Sequence, residues 1–152
     1  MSDTSEIKII KEEADSLLKK LGVTGTTEVS KEGEFFSVDI ETEESGIIIG
    51  YHGETLQALQ LILSLLVQKK LDRFERILVN VGDYREKREE KLKEMALDAA
   101  RRAKETKQEI ILGNLAPWQR RIVHVTLAED SEVSTESQGE DPDRQLVIKP
   151  KV

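Results

Sequence analysis

Residues 46–66, GIIIGYHGETLQALQLILSLL, constrain this chain more than any other stretch. A Gly-x-x-Gly turn, Gly50-Tyr51-His52-Gly53, opens directly into a run in which Leu56, Leu59, Leu63 and Leu66 recur at helical spacing. Ile47, Ile48 and Ile49 are expected to pack in the element before the turn. Glycine at each end lets the backbone approach a sugar-phosphate chain without a Cβ in the way. The amides at the start of the following helix, around Glu54 and Thr55, form an anion site. Such a turn grips a strand and leaves its bases to be read elsewhere. Glycine pairs also occur in ordinary strand-to-helix turns, and the apolar frame on both sides sets this one apart. A nucleotide-binding P-loop is excluded by its ending: Gly53-Glu54-Thr55 puts a carboxylate where that loop needs lysine.

The rest of the chain reads as two small domains, residues 1–83 and 84–152, within the reach of 152 residues that are 38% hydrophobic. Ile7, Ile10, Ala14, Leu17, Leu18 and Leu21 trace an amphipathic first helix stopped by Gly22 and Gly25. Thr26–Ser30 and Glu34–Glu41 read as a hairpin about Lys31-Glu32-Gly33, with Phe36, Val38 and Ile40 on one face. Phe74–Val81 is a further strand with Ile77, Val79 and Val81 inward. The expected order is helix, strand, strand, helix, strand: a three-stranded sheet backed by helices. Asp83 can cap a long helix from Tyr84 to about Lys107, striped by Leu92, Met95, Ala96, Ala99 and Ala103. A short strand at Ile110–Leu112, a helix begun by Pro117 and two closing strands about a turn at Gln138–Asp143 complete an α/β (α+β) chain. Leu146 and Ile148 are expected to alternate inward on the last strand, and Phe74 and Trp118 to join the core.

Charge bears on the ligand. The formal net charge is −7, against the basic surface that nucleic-acid binding ordinarily uses. Its distribution is uneven: residues 1–83 hold 9 basic and 16 acidic side chains, residues 84–107 hold 9 and 6, and residues 108–152 hold 5 and 8. Only the middle segment is net positive, which predicts weak, salt-sensitive binding on the glycine-turn side. With no cysteine there is no disulfide and no thiolate chemistry. The start, MSDTSEIKIIKEE, lacks an apolar signal core, and Leu56–Val67 is too short to span a bilayer, so a cytoplasmic protein without membrane insertion is expected. No metal, cofactor or catalytic group is expected. His52 near Glu43, Glu44 and Glu54 could serve as a metal or acid–base group only with a third histidine or a nucleophile beside a base, and neither pattern is present.

Arg120 and His124 stand four apart, one turn apart on one helix face, with Arg121 beside them and Arg144 before the last strand. Two readings stand. The group grips a phosphate, the arginine fork and the imidazole donating together; alternatively the arginines are solvated and His124 is a satisfied, partly buried histidine.

Arg120-Arg121-Ile122-Val123-His124 is similar to the Arg-x-x-x-His signature of the arginine-three-histidine domain, with Asn114 and Pro117-Trp118 before it and Gly139-Glu140-Asp141-Pro142, Arg144 and Val147-Ile148 after it. The glycine turn with Glu54-Thr55-Leu56 and Gln57-Ala58-Leu59-Gln60 resembles a KH domain. The ordered pair, matching from about Ile47 to Lys151, resembles the SpoIIIJ-associated Jag family of bacteria, also called KhpB. That resemblance implies a single-stranded RNA-binding protein, with single-stranded DNA as the alternative ligand, acting as an RNA chaperone or post-transcriptional regulator beside a small KH partner. It also implies a link to envelope growth and division. By the family's pattern Gly50 and Gly53 bracket the clamp, and Arg120 with His124 form the second contact. Two departures stand out. Tyr51-His52 fills clamp positions that are more usually basic, where Tyr51 could stack on a base and His52 donate. Only Met1–Glu6 precede the first helix, where the family usually carries a further domain. A third reading is a protein-interaction module in which the turn is structural and the long helix or the sheet docks a partner.

Overall fold

The structure is a computed structural model that describes residues 2–141 and 143–151; Pro142, part of the closing motif, lies outside them. The chain divides into two compact units, Met1–Arg85 and Glu86–Val152.

The first unit begins with α1 (Asp3–Lys20). Ser2 caps it by accepting from the Ser5 amide, and Ile10, Ala14 and Leu18 form its buried stripe. The hairpin follows as β1 (Thr26–Glu32) and β2 (Phe35–Glu41), antiparallel with Val29 opposite Val38. Next come a short helix α2 (Ser45–Ile49), the glycine turn, α3 (Glu54–Leu71) and β3 (Arg76–Val81), which pairs parallel to β2. The sheet order is β1-β2-β3. A parallel β2-to-β3 pairing requires a crossover over one face of the sheet, and α2, the turn and α3 are that crossover. The core joins Ile10 and Leu18 of α1, Phe36, Val38 and Ile40 of β2, Ile77, Val79 and Val81 of β3, and Leu63 and Val67 of α3.

The second unit holds most of α4 (Tyr84–Thr106), then β4 (Ile110–Leu112), α5 (Pro117–Leu127), β5 (Val133–Gln138) and β6 (Gln145–Pro150). β6 is central, antiparallel to both β4 and β5. Its core combines the α4 stripe of Leu92, Ala96, Ala99 and Ala103 with Val123, Leu127, Leu146 and Ile148. With Ala100, alanines at four buried positions of α4 let neighbouring backbone come close.

The mixed helix-and-strand class and the three-stranded sheet are as expected, and four local expectations are corrected. The segment before the glycine turn is a helical turn, and only Ile48 of its three isoleucines is buried. The buried stripe of α3 is Leu59, Leu63, Val67 and Leu71 rather than one through Leu66, because continued i,i+4 steps follow the core face. Phe74 is 71% exposed, lying before β3 rather than in it; Trp118 is half-buried against the second core. Val147 is buried along with Leu146 and Ile148, so β6 is covered on both faces at its middle.

Candidate nucleic-acid interface

The glycine turn is fixed by its neighbours. Gly50 has φ +69°, and a Cβ there would stand 2.0 Å from Thr55 Oγ1, so neither its backbone nor its space admits a side chain. Gly53, at φ +83°, would direct a Cβ to 2.7 Å from the Tyr84 hydroxyl. Tyr84 therefore walls the back of the turn, and although it opens α4 it lies within the first unit. Only the folded structure reveals that role; a lone tyrosine opening a charged helix carries no signal in the sequence.

The turn itself, Tyr51–Gly53, is a single 3-10 turn. Gly53, the N-cap of α3, supplies no side-chain cap, and the Glu54 amide at the start of the helix donates to the Tyr51 carbonyl. Glu54 sits in that first turn and is exposed, as is Thr55, whose side chain lies beneath Gly50. The tip is aromatic: the Tyr51 and His52 rings stack with centroids 3.9 Å apart and planes within 24°. His52 adopts φ +52°, a left-handed conformation uncommon for a residue with a Cβ.

In the second unit the four expected residues have different environments. Pro117 starts α5, and the buried Gln119 side chain accepts from the Ala116 amide at 3.1 Å. Ala116 has no side-chain oxygen, so only this return half of a capping box forms. Arg120 is 7% exposed. Its Nη1 donates to the Leu115 carbonyl at 2.7 Å, and its Nη2 faces Asp141 Oδ1 at 3.4 Å in the β5–β6 turn. Arg144 Nη1 donates to the Gly139 carbonyl at 2.7 Å across the same turn.

His124 is half-buried, with Nδ1 2.5 Å from Thr135 Oγ1 and Nε2 3.1 Å from Ser137 Oγ on β5. A neutral imidazole has one donor and one acceptor, so one hydroxyl accepts while the other donates. Burial first, and the Arg120 charge second, push its pKa below the ordinary 6.5. Arg121 is exposed. Helix α5 thus brings Arg120 and His124 together facing inward and turns Arg121 outward. Thr135 and Ser137, which the sequence reading did not single out, complete the cluster. Their alternation on β5 opposite a histidine-bearing helix was the available signal.

Two family models match the chain: the KH domain of KhpA/KhpB over residues 8–79 and the arginine-three-histidine domain over residues 90–150. Their order and their joint span decide the family. The chain belongs to the KhpB family. It is similar to "RNA-binding protein KhpB" of Clostridium symbiosum, 34% identical over 128 residues that cover 84% of this chain and 58% of that protein. It is also similar to the protein of that name from Lactiplantibacillus plantarum, 31% identical over 133 residues, 88% of this chain and 41% of the relative. The Bacillus subtilis protein of the same name is 32% identical over 111 residues, 72% of this chain and 53% of the relative. This KhpB-family chain therefore spans about half the length of the curated relatives it matches. Among the described residues no helix is long and apolar enough to cross a membrane, and no group of three or more His, Asp or Glu side chains could hold a metal ion.

Proposed function

We propose that this chain binds single-stranded RNA, acting in the cytoplasm as an RNA chaperone or post-transcriptional regulator. The observation that carries this reading is the Gly50–Gly53 turn: two glycines whose Cβ positions are occupied by neighbours, at the uncapped start of α3. The glycine turn and the first turn of α3 behind it hold the strand's backbone. Arg121 supplies an outward cation on α5, while Arg120, His124 and Arg144 shape the surface that carries it. The names of the curated relatives support RNA as the ligand. A role in bacterial envelope growth and division is the cellular setting that the family resemblance implies.

Fluorescence anisotropy with a labelled single-stranded RNA and its DNA equivalent, at two salt concentrations, tests the reading. Substituting Tyr51→Asp and His52→Asp together puts two carboxylates on the exposed tip, and aspartate tolerates the left-handed backbone at position 52. Affinity should fall about tenfold or more, a loss of roughly 1.4 kcal/mol or more; unchanged affinity would refute the clamp. Gly53→Asp is a poorer probe, because its Cβ would displace Tyr84 and confuse lost binding with lost packing.

A second reading is favoured by α3. Besides its core stripe it carries Ala58, Leu61, Ile62 and Leu65 at i, i+3, i+4 and i+7, all exposed. A second apolar stripe on one helix is a surface for a partner, for which a small KH protein is our proposal.

A further inference from the structure

The clamp lacks the charge such a turn ordinarily brings to phosphate. No lysine or arginine occurs between Lys31 and Lys69, and that stretch holds seven acidic residues. The glycine-turn stretch itself therefore brings no cationic side chain to phosphate, and its own charge is negative. Another favourable contact is needed there, and the tip provides one of different chemistry. Tyr51 is 68% exposed, and one face of its ring is backed by the stacked His52 imidazole. That exposure leaves the ring accessible to a ligand. His52 reaches its backing position through a left-handed backbone that costs conformational energy, and such strain clusters at ligand clamps. Holding the phenol ring against the imidazole lowers the entropy that ordering it on a ligand would cost.

We propose that Tyr51, backed by His52, is a stacking platform for an unpaired nucleobase of the strand held by the Gly50–Gly53 turn. This rests on the RNA-binding reading above and extends it: the turn holds a base as well as a backbone. A duplex base is already stacked on both faces, so the platform selects single strands. A purine covers more of the phenol ring than a pyrimidine, so adenine binds better than uracil. Stacking uses no phosphate charge and releases no counterion, so this contribution is the same at both salt concentrations.

The test uses the full chain with three fluorescein-labelled oligomers of equal phosphate number: oligoadenylate, oligouridylate and an abasic strand. The wild type should bind oligoadenylate about tenfold more tightly than the abasic strand, with oligouridylate between them. Tyr51→Phe keeps this preference, because the ring face is kept. Tyr51→Leu loses the same factor on oligoadenylate and nothing on the abasic strand, and the ratio holds at low and high salt. Equal wild-type affinity for base-bearing and abasic strands, or a Tyr51→Leu loss equal on both, overturns the platform and leaves the backbone grip standing. Absence of binding to all three oligomers overturns the RNA reading itself.

Discussion

Arg120 and His124 are both held by partners inside the second unit. The Arg120 guanidinium closes the Leu115 carbonyl and faces Asp141, so removing it leaves a buried acceptor without its donor. Arg120→Ala should destabilise the second unit by about 2 kcal/mol, read as a lowered urea midpoint. Arg121→Ala should leave that midpoint nearly unchanged while weakening RNA binding. His124 adds a pH dependence with a definite sign. Its folded-state pKa lies below 6.5, so the unfolded chain takes up the proton first as pH falls. The stability His124 contributes is present above pH 6.5 and is lost as pH drops through its folded-state pKa. Thermal unfolding between pH 7 and pH 5.5, above the ordinary range of the carboxylates, should show the second unit weakening. His124→Gln should flatten that slope.

At the scale of elements, α3 carries two jobs on two faces. Leu59, Leu63 and Val67 hold it to the sheet, and Gln60 Oε1 accepts the Val79 amide at 2.9 Å, satisfying a donor on the edge strand β3. The opposite stripe through Leu61, Ile62 and Leu65 holds nothing in the core cluster of the first unit. Leu61→Glu with Leu65→Glu should therefore change folding stability by less than about 0.5 kcal/mol, as ordinary surface substitutions do. The same pair should abolish binding to a small KH protein in analytical ultracentrifugation. A complex that survives both charges would remove α3 as the docking surface. The N-terminal turn of α4 shows the opposite economy, since Tyr84 belongs by position to the long helix and by contact to the glycine turn.

For the whole molecule, the two cores share no buried residue: the first ends at Val81 and the second begins at Leu92. Residues 1–85 should consequently fold alone with a cooperative thermal transition by circular dichroism. A version ending at Val81 should keep its helices but lose the clamp geometry, because Gly53 then has no Tyr84 behind it. A fragment 1–85 that fails to fold would show that the units depend on each other. The charge asymmetry belongs to this scale as well, with salt-dependent binding expected to come from the second half and salt-independent stacking from the tip.

Local pattern by itself determined the glycine turn, the periods that fix α1, α3 and α4, the hairpin of β1 and β2, the proline start of α5 and the two family signatures. Each is written in residues within a few positions of one another, where period and turn chemistry act. The tertiary structure alone decided that the stretch before the turn is helical, that Phe74 faces solvent, and that Arg120 points inward to Leu115 while Arg121 points out. It also set Thr135 and Ser137 on the two nitrogens of His124, and Tyr84 behind Gly53. These are meetings of residues from 5 to 31 positions apart. Burial and hydrogen-bond pairing across such distances depend on how elements fold onto each other, which no local pattern of residues encodes.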